Sequence, residues 1–335
     1  MSWFADLTGF EETTYEETRS RFSLDGERLT SKVTGKSWSI GAFEMTSLSR
    51  LRQLTKGLPS QRATMRIEVG DFRAMHARAA FAGALFQVAS QFNALEMTGP
   101  HVTPEDGVTR YQGDPTQGPA CALAAAPATI FRNYFVPVGG REGQTRDRQL
   151  DGLADIGDAL AAALHRPVGS LWKMRNGYAL CERDGLAAIN AYLRNLDENQ
   201  LDALRGSLSI GLQSGVEVTQ PGAPAGHRVS QAFCSALPIA YTRIRAADWT
   251  PFANLVLEAA YEATLRAAMI AASQGGSNIV LLTTLGGGAF GNNRHWIFDA
   301  IARALRVTQG GGLDIRVVSH GQPSADLVDF VESMT

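Results

Sequence analysis

The run Gly286-Gly287-Gly288-Ala289-Phe290-Gly291 directly follows the apolar stretch 278–284 and directly precedes a helical pattern over 295–305. Strand, glycine loop, helix is an order that belongs to sheets carrying helices on their faces. At such a junction the first backbone N–H groups have no intrahelical partner and carry partial positive charge, so the loop can hold an anion, usually a phosphate. Glycine lets the main chain take positive φ and approach a ligand closely. The run has neither the Lys-Ser/Thr ending of a Walker A loop nor the full dinucleotide fingerprint. A merely tight turn is the alternative.

A chain of 335 residues is long enough for one large domain or two modest ones with a well-buried core. Apolar residues at 44% and charged residues at 19% describe an ordinary globular protein. The formal charge of −2 argues against a broad nucleic-acid footprint, so nucleic acid is not an expected partner. It also means that an anionic ligand would be held mainly by main-chain donors. Cys121, Cys181 and Cys234 are far apart and odd in number, with no Cys-x-x-Cys or His/Cys cluster; neither a disulfide framework nor a zinc site is expected. No basic region followed by a long apolar run opens the chain, and no later stretch reaches membrane-spanning length. A cytoplasmic protein without a membrane partner is expected.

Residues 1–62 read as a β-rich extension, acidic between Glu11 and Glu17, with strand-like pieces at 22–24 and 38–43. Asp25-Gly26 and Thr34-Gly35 are turn signals that make these pieces hairpins. The main domain is expected over 63–335. It opens with an alternating strand at 65–69, a helical piece at 72–81 and a buried-strand run at 84–89. Residues 96–116 are loop-like, and 120–126 are small and helix-friendly. Leu150, Leu153, Ile156, Leu160 and Leu164 begin a series of amphipathic patterns, so the region of about 135–205 reads as a helical insert. Strand-like pieces return at 208–212 and 229–237, followed by a helix at 252–272, a strand at 279–283, a helix at 295–305 and a strand at 313–319. This alternation predicts an α/β fold with a parallel or mixed sheet.

Four segments carry a resemblance: Gly70-Asp71-Phe72 after a strand, Ala89-Ser90-Gln91-Phe92-Asn93 ending the next apolar run, Gln117-Gly118-Pro119-Ala120-Cys121-Ala122, and residues 286–292. In this order they resemble macrodomains, the α/β/α modules that bind ADP-ribose, over roughly 64–126 and 206–320. The ending Gly288-Ala289-Phe290-Gly291 is similar to poly(ADP-ribose) glycohydrolases in particular. The resemblance implies a three-layer α/β/α mixed sheet. It implies that Asp71 accepts from the adenine amino group, with Phe72 as a neighbouring contact, and that Asn93 faces the distal ribose. Gln117, Gly118, Pro119, Ala120 and Cys121 would then line one phosphate, and Gly286, Gly287, Gly288, Ala289, Phe290, Gly291 and Asn292 the other. The chain also departs from the family. Its first loop is Gln-Gly-Pro-Ala rather than a glycine run and lies well beyond Asn93. Neither the consecutive acidic pair of the glycohydrolase signature nor the usual aspartate of the mono-ADP-ribosyl hydrolase loop is visible in its place.

Each of these positions also has a plainer reading. Asp71 would cap the helix that follows, Asn93 would be a turn residue at a strand end, and small loop residues would serve close helix–strand packing. For chemistry, Asp114 is the first candidate. Cleavage at a ribose passes through an oxocarbenium-like state, which a carboxylate stabilises or toward which it directs a water. Asp114-Pro115-Thr116-Gln117 also reads as a capping box with Pro at the first helical position. Pro119 would fall inside that helix, so the helix is expected to begin at Pro119 with Asp114 in the loop above it. Glu96 is a second carboxylate candidate, and Asp106 and Glu105 are lesser ones. Cys121 has no evident histidine partner and is not expected to act as a nucleophile. Glu258 and Glu262, one turn apart beside Tyr261, are either a site or a solvated face. The expected function is hydrolysis of ADP-ribose from a modified protein or related derivative, with ADP-ribose as ligand or product and no cofactor required. The alternative is a non-catalytic reader of ADP-ribose or a related nucleotide.

Overall fold

The computed structural model describes residues 2–334. Two short helices, α1 (Trp3–Thr8) and α2 (Tyr15–Ser20), lead into a small antiparallel sheet of β1 (Phe22–Asp25), β2 (Arg28–Ser31) and β3 (Ser37–Ser39). Next come β4 (Ala42–Ser47), α3 (Leu48–Leu54), β5 (Thr64–Val69), α4 (Phe72–His76) and β6 (Leu85–Ala89). A long loop then reaches α5 (Gln117–Ala124) and α6 (Ala126–Tyr134). The middle of the chain holds two hairpins, β7 (Pro137–Val138) with β8 (Arg141–Glu142) and β9 (Trp172–Arg175) with β10 (Tyr178–Cys181), and the helices α7 (Ala154–Leu164), α8 (Arg183–Leu193) and α9 (Glu198–Gly206). The ending is β11 (Ser209–Glu217), β12 (Arg228–Cys234), α10 (Thr250–Ser273), β13 (Ile279–Leu282), α11 (Arg294–Thr308), β14 (Asp314–Ser319) and α12 (Ala325–Met334).

Seven strands form one mixed sheet in the order β4-β11-β12-β6-β13-β14-β5. From β12 to β5 all neighbours run parallel, while β4, β11 and β12 pair antiparallel. Alternate residues serve opposite faces, as the period of two requires. Val280, Leu282, Ile315 and Val317 pack with Leu257, Leu265, Ile297 and Ile301 of α10 and α11. Leu281, Val318, Phe86, Val88 and Phe233 pack on the other face with Phe72, Met75, Cys121 and Ala128 of α4, α5 and α6. The result is a three-layer α/β/α protein, the architecture expected from the alternation of strands and helices. α10 is apolar on most of its surface because it lies between the sheet and a second layer of helices. No helix among the described residues is long and apolar enough to cross a membrane.

Three expectations change. The boundary at 62 does not separate an extension from the main body: β4 is an edge strand of the large sheet, and α3 packs on α10. The region 135–205 is not wholly helical, since Asn176 (φ 47°) and Gly177 (φ 79°) turn the β9–β10 hairpin, a pair suited to the two-residue turn with both centres left-handed. Finally, α5 begins at Gln117 rather than Pro119, with Thr116 as its cap residue. Pro119 is tolerated because it sits in the first turn, where its missing N–H has no intrahelical partner to lose.

Candidate functional site

The C-terminal ends of β6, β12 and β13 open onto a cavity of about 310 Å³, the edge of a parallel sheet where ligands of such folds gather. Its walls bring together Asp114, the helix start Gln117-Gly118-Pro119, and Gly286, Gly288, Ala289 and Phe290 of the glycine loop. A second cavity of about 210 Å³ adjoins it, sharing Gln117, Thr283 and Thr284, and is lined by Asp71, Phe72 and Ala120.

The glycine loop is built by its own hydrogen bonds. Gly287 N–H donates to Thr284, Gly291 N–H to Gly288 and Asn292 N–H to Gly286. Among the described residues, the amides of Gly286, Gly288, Ala289 and Phe290 have no protein acceptor. These are the residues of the loop that line the cavity. Gly286 has φ +73°, and a Cβ there would lie 2.4 Å from Ala236 Cβ, so only glycine fits. Tyr261 of α10 sets the start of the loop by donating to Thr283 O at 2.7 Å and accepting from Leu285 N–H at 2.9 Å. At α5, a Cβ on Gly118 would lie 2.0 Å from the Ala89 carbonyl oxygen. Close helix–strand packing is therefore one reason for that glycine.

Asp114 is the only carboxylate on the main cavity among the described residues. Its Oδ1 accepts from Thr116 N–H at 2.9 Å and from the Thr116 hydroxyl at 2.6 Å. Oδ2 has no protein partner among the described residues. Asp71 caps α4 by accepting from Ala74 N–H at 2.7 Å, so the plainer reading holds, and the residue also lines the second cavity.

Several sequence candidates lie elsewhere. Asn93 is buried, donating to Gln149 at 2.9 Å and accepting from Leu95 N–H at 3.1 Å, and does not line the cavity. Glu96 is fully buried against Arg132 at 2.8 Å; burial pushes its carboxyl up while the guanidinium pulls it down. Asp106 closes a capping box with Thr103, whose amide holds it below the ordinary carboxylate range. Glu105 accepts from Arg146 N–H. Cys121 is buried, and burial raises its thiol well above the ordinary value. Gly287, Gly291 and Asn292 shape the loop without lining the cavity, and Asn292 anchors it by donating to Leu237 O at 2.9 Å. Glu262 is no solvated face: it is buried among Arg52, Arg266 and Arg303, and Glu258 pairs with Arg205.

Sequence reasoning missed Tyr178 and Tyr241. They form an aromatic wall with Phe290, with ring centroids 5.2, 5.3 and 5.6 Å apart. Tyr178 O–H donates to Met97 O at 2.8 Å, and burial, Tyr241 and Asp114 together raise its pKa. The Asn176-Gly177 turn signal marked the hairpin that carries Tyr178, but nothing local aimed that hairpin at the cavity. No three His, Cys, Asp or Glu side chains among the described residues come together as a metal site would need.

Among solved structures, the chain is similar to a mutant poly(ADP-ribose) glycohydrolase from Deinococcus radiodurans in complex with ADP-ribose. Identity is 12%, covering 88% of this chain and 96% of that one, with a TM-score of 0.47. It is also similar to the poly(ADP-ribose) glycohydrolase from Thermomonospora curvata, at 14% identity over 96% of each chain and a TM-score of 0.43. No family model matches, and no curated protein matches.

Proposed function

We propose that this chain hydrolyses derivatives of ADP-ribose at the distal ribose. One observation carries the reading: among the described residues, Asp114 is the single carboxylate of the cavity and shares it with four loop residues whose amides have no protein acceptor. Unpaired amides on a glycine loop suit a pyrophosphate. A carboxylate with one free oxygen suits the anomeric carbon or its attacking water. The adjoining cavity, with Asp71 and Phe72, is where the resemblance puts the adenine, and the walls it shares with the main cavity at Gln117, Thr283 and Thr284 support a dinucleotide lying across the two. Binding energy from base and phosphates would then hold the ribose against Asp114.

Asp114→Asn tests this. Turnover of an ADP-ribosylated substrate should fall by about 10²–10⁴-fold, while calorimetric affinity for ADP-ribose is retained. The engagement of Asp114 Oδ1 with Thr116 favours a second reading, a non-catalytic reader in which the carboxylate only shapes the loop. A native protein that binds ADP-ribose and turns over no derivative establishes the reader.

A further inference from the structure

The charges on a cavity limit which leaving groups it can release. Breaking an O-glycosidic bond calls for an acid to protonate the departing oxygen as well as a carboxylate at the sugar carbon, so such sites carry paired carboxyl groups. Among the described residues, the main cavity has Asp114 alone, with no second carboxyl group and no lysine, arginine or histidine in its lining. The Tyr178 hydroxyl is no substitute: it is committed to the Met97 carbonyl, and its surroundings oppose loss of its proton. Of the carboxylates that precede Asp114 in this region, Asp106 is held by Thr103, Glu105 by the Arg146 N–H, and Glu96 is turned away into its pair with Arg132.

The same cavity presents the rings of Tyr178, Tyr241 and Phe290. Aromatic faces beside a carboxylate, with no competing cation, attract a planar cation. A leaving group that is already cationic needs no acid, because it departs neutral. Both features ask for the same chemistry.

Resting on the hydrolase reading above, we propose that the group released is a planar cation joined to the distal ribose through nitrogen. Two sources share that chemistry: the nicotinamide ring of a pyridinium dinucleotide and the guanidinium of an ADP-ribosylated arginine. In either, the bond between the anomeric carbon and nitrogen breaks with its electron pair going to nitrogen, and the nicotinamide or guanidine leaves uncharged. The oxygen of a water bonds to the anomeric carbon. Its proton passes to Asp114 and then to solvent, where the free guanidine takes up a proton.

The test offers the purified chain NAD⁺, an arginine-ADP-ribosylated peptide and a serine-ADP-ribosylated peptide, following ADP-ribose release by chromatography. ADP-ribose binding is measured in parallel by calorimetry. NAD⁺ or the arginine-linked peptide should be cleaved at least about 100-fold faster than the serine-linked one, the scale of a missing general acid, and the faster of the two identifies the source. Tyr241→Leu, at a partly exposed position, should raise the KM for that substrate about fivefold, more than it raises the Kd for ADP-ribose. Cleavage of the serine-linked peptide as fast as the others overturns this inference and leaves the hydrolase reading standing. A chain that cleaves none of the three overturns both.

Discussion

The side chain of Gln117 lies across the end of β6: its oxygen accepts from Ala89 N–H at 2.8 Å, and its amide donates to Gln87 O at 2.9 Å. A side chain in the first turn of α5 thus pairs with the backbone of a central strand, as a neighbouring strand would. This staple fixes Gln117 and Gly118, two residues that line the cavity. Gln117→Leu would leave two partly buried backbone groups unpaired, at a cost of about 1–3 kcal/mol. Urea denaturation should show that loss, and calorimetry a weaker ADP-ribose affinity.

Gly286→Ala places a Cβ at φ +73° and 2.4 Å from Ala236 Cβ. The left-handed backbone alone is unfavourable by roughly 1–2 kcal/mol, and the overlap adds to it. The loop must shift, so ADP-ribose affinity should fall more than thermal stability does. Unchanged affinity would show that the loop amides do not hold the ligand.

Asp71 has a cap and a proposed base contact, and two substitutions separate them. Asp71→Ala should lose about 0.5–2 kcal/mol of stability with the cap. Asp71→Ser keeps a capping oxygen and should recover most of it. Both should bind ADP-ribose about tenfold more weakly, in line with the loss of a charged hydrogen-bond acceptor. Full affinity in the serine variant would confine Asp71 to the cap.

Glu262 is buried, which works to raise its pKa, but hydrogen bonds and charge from Arg52 and Arg266 outweigh burial and hold it at about 2, below the ordinary 4.5. The folded pKa is the lower one, so its stabilising contribution is complete above pH 4.5 and is lost as pH falls toward 2. Glu262→Gln should cost about 3–5 kcal/mol near neutral pH, because the arginines stay partly buried without their partner. The gap between native and variant stability should narrow as the pH drops below 4.5.

The glycine loop was legible because its requirements are local: a strand before it, a helix after it, and positive φ at Gly286 and Gly291. Asp114 was legible as a loop carboxylate for a similar reason. The segment 89–97 was not. Ala94 has φ +57° and reverses the chain, so Ser90, Gln91 and Met97 line the cavity while Asn93 and Glu96 turn inward. Their partners, Gln149 and Arg132, lie 56 and 36 residues away in sequence, and no periodicity encodes such a pairing.

By itself, the amino-acid sequence determined the alternation of strands and helices, the three layers that follow from it, and the presence of a glycine loop between a strand and a helix. Each of these rests on backbone conformation and apolar spacing, which are properties of neighbouring residues. Only the tertiary structure decided that β4 joins the main sheet, that Glu96 and Glu262 are neutralised by arginines, and that Tyr178 and Tyr241 stand beside Asp114. Those outcomes depend on which distant side chains share a buried space, because a buried charge must find its partner wherever the fold brings one.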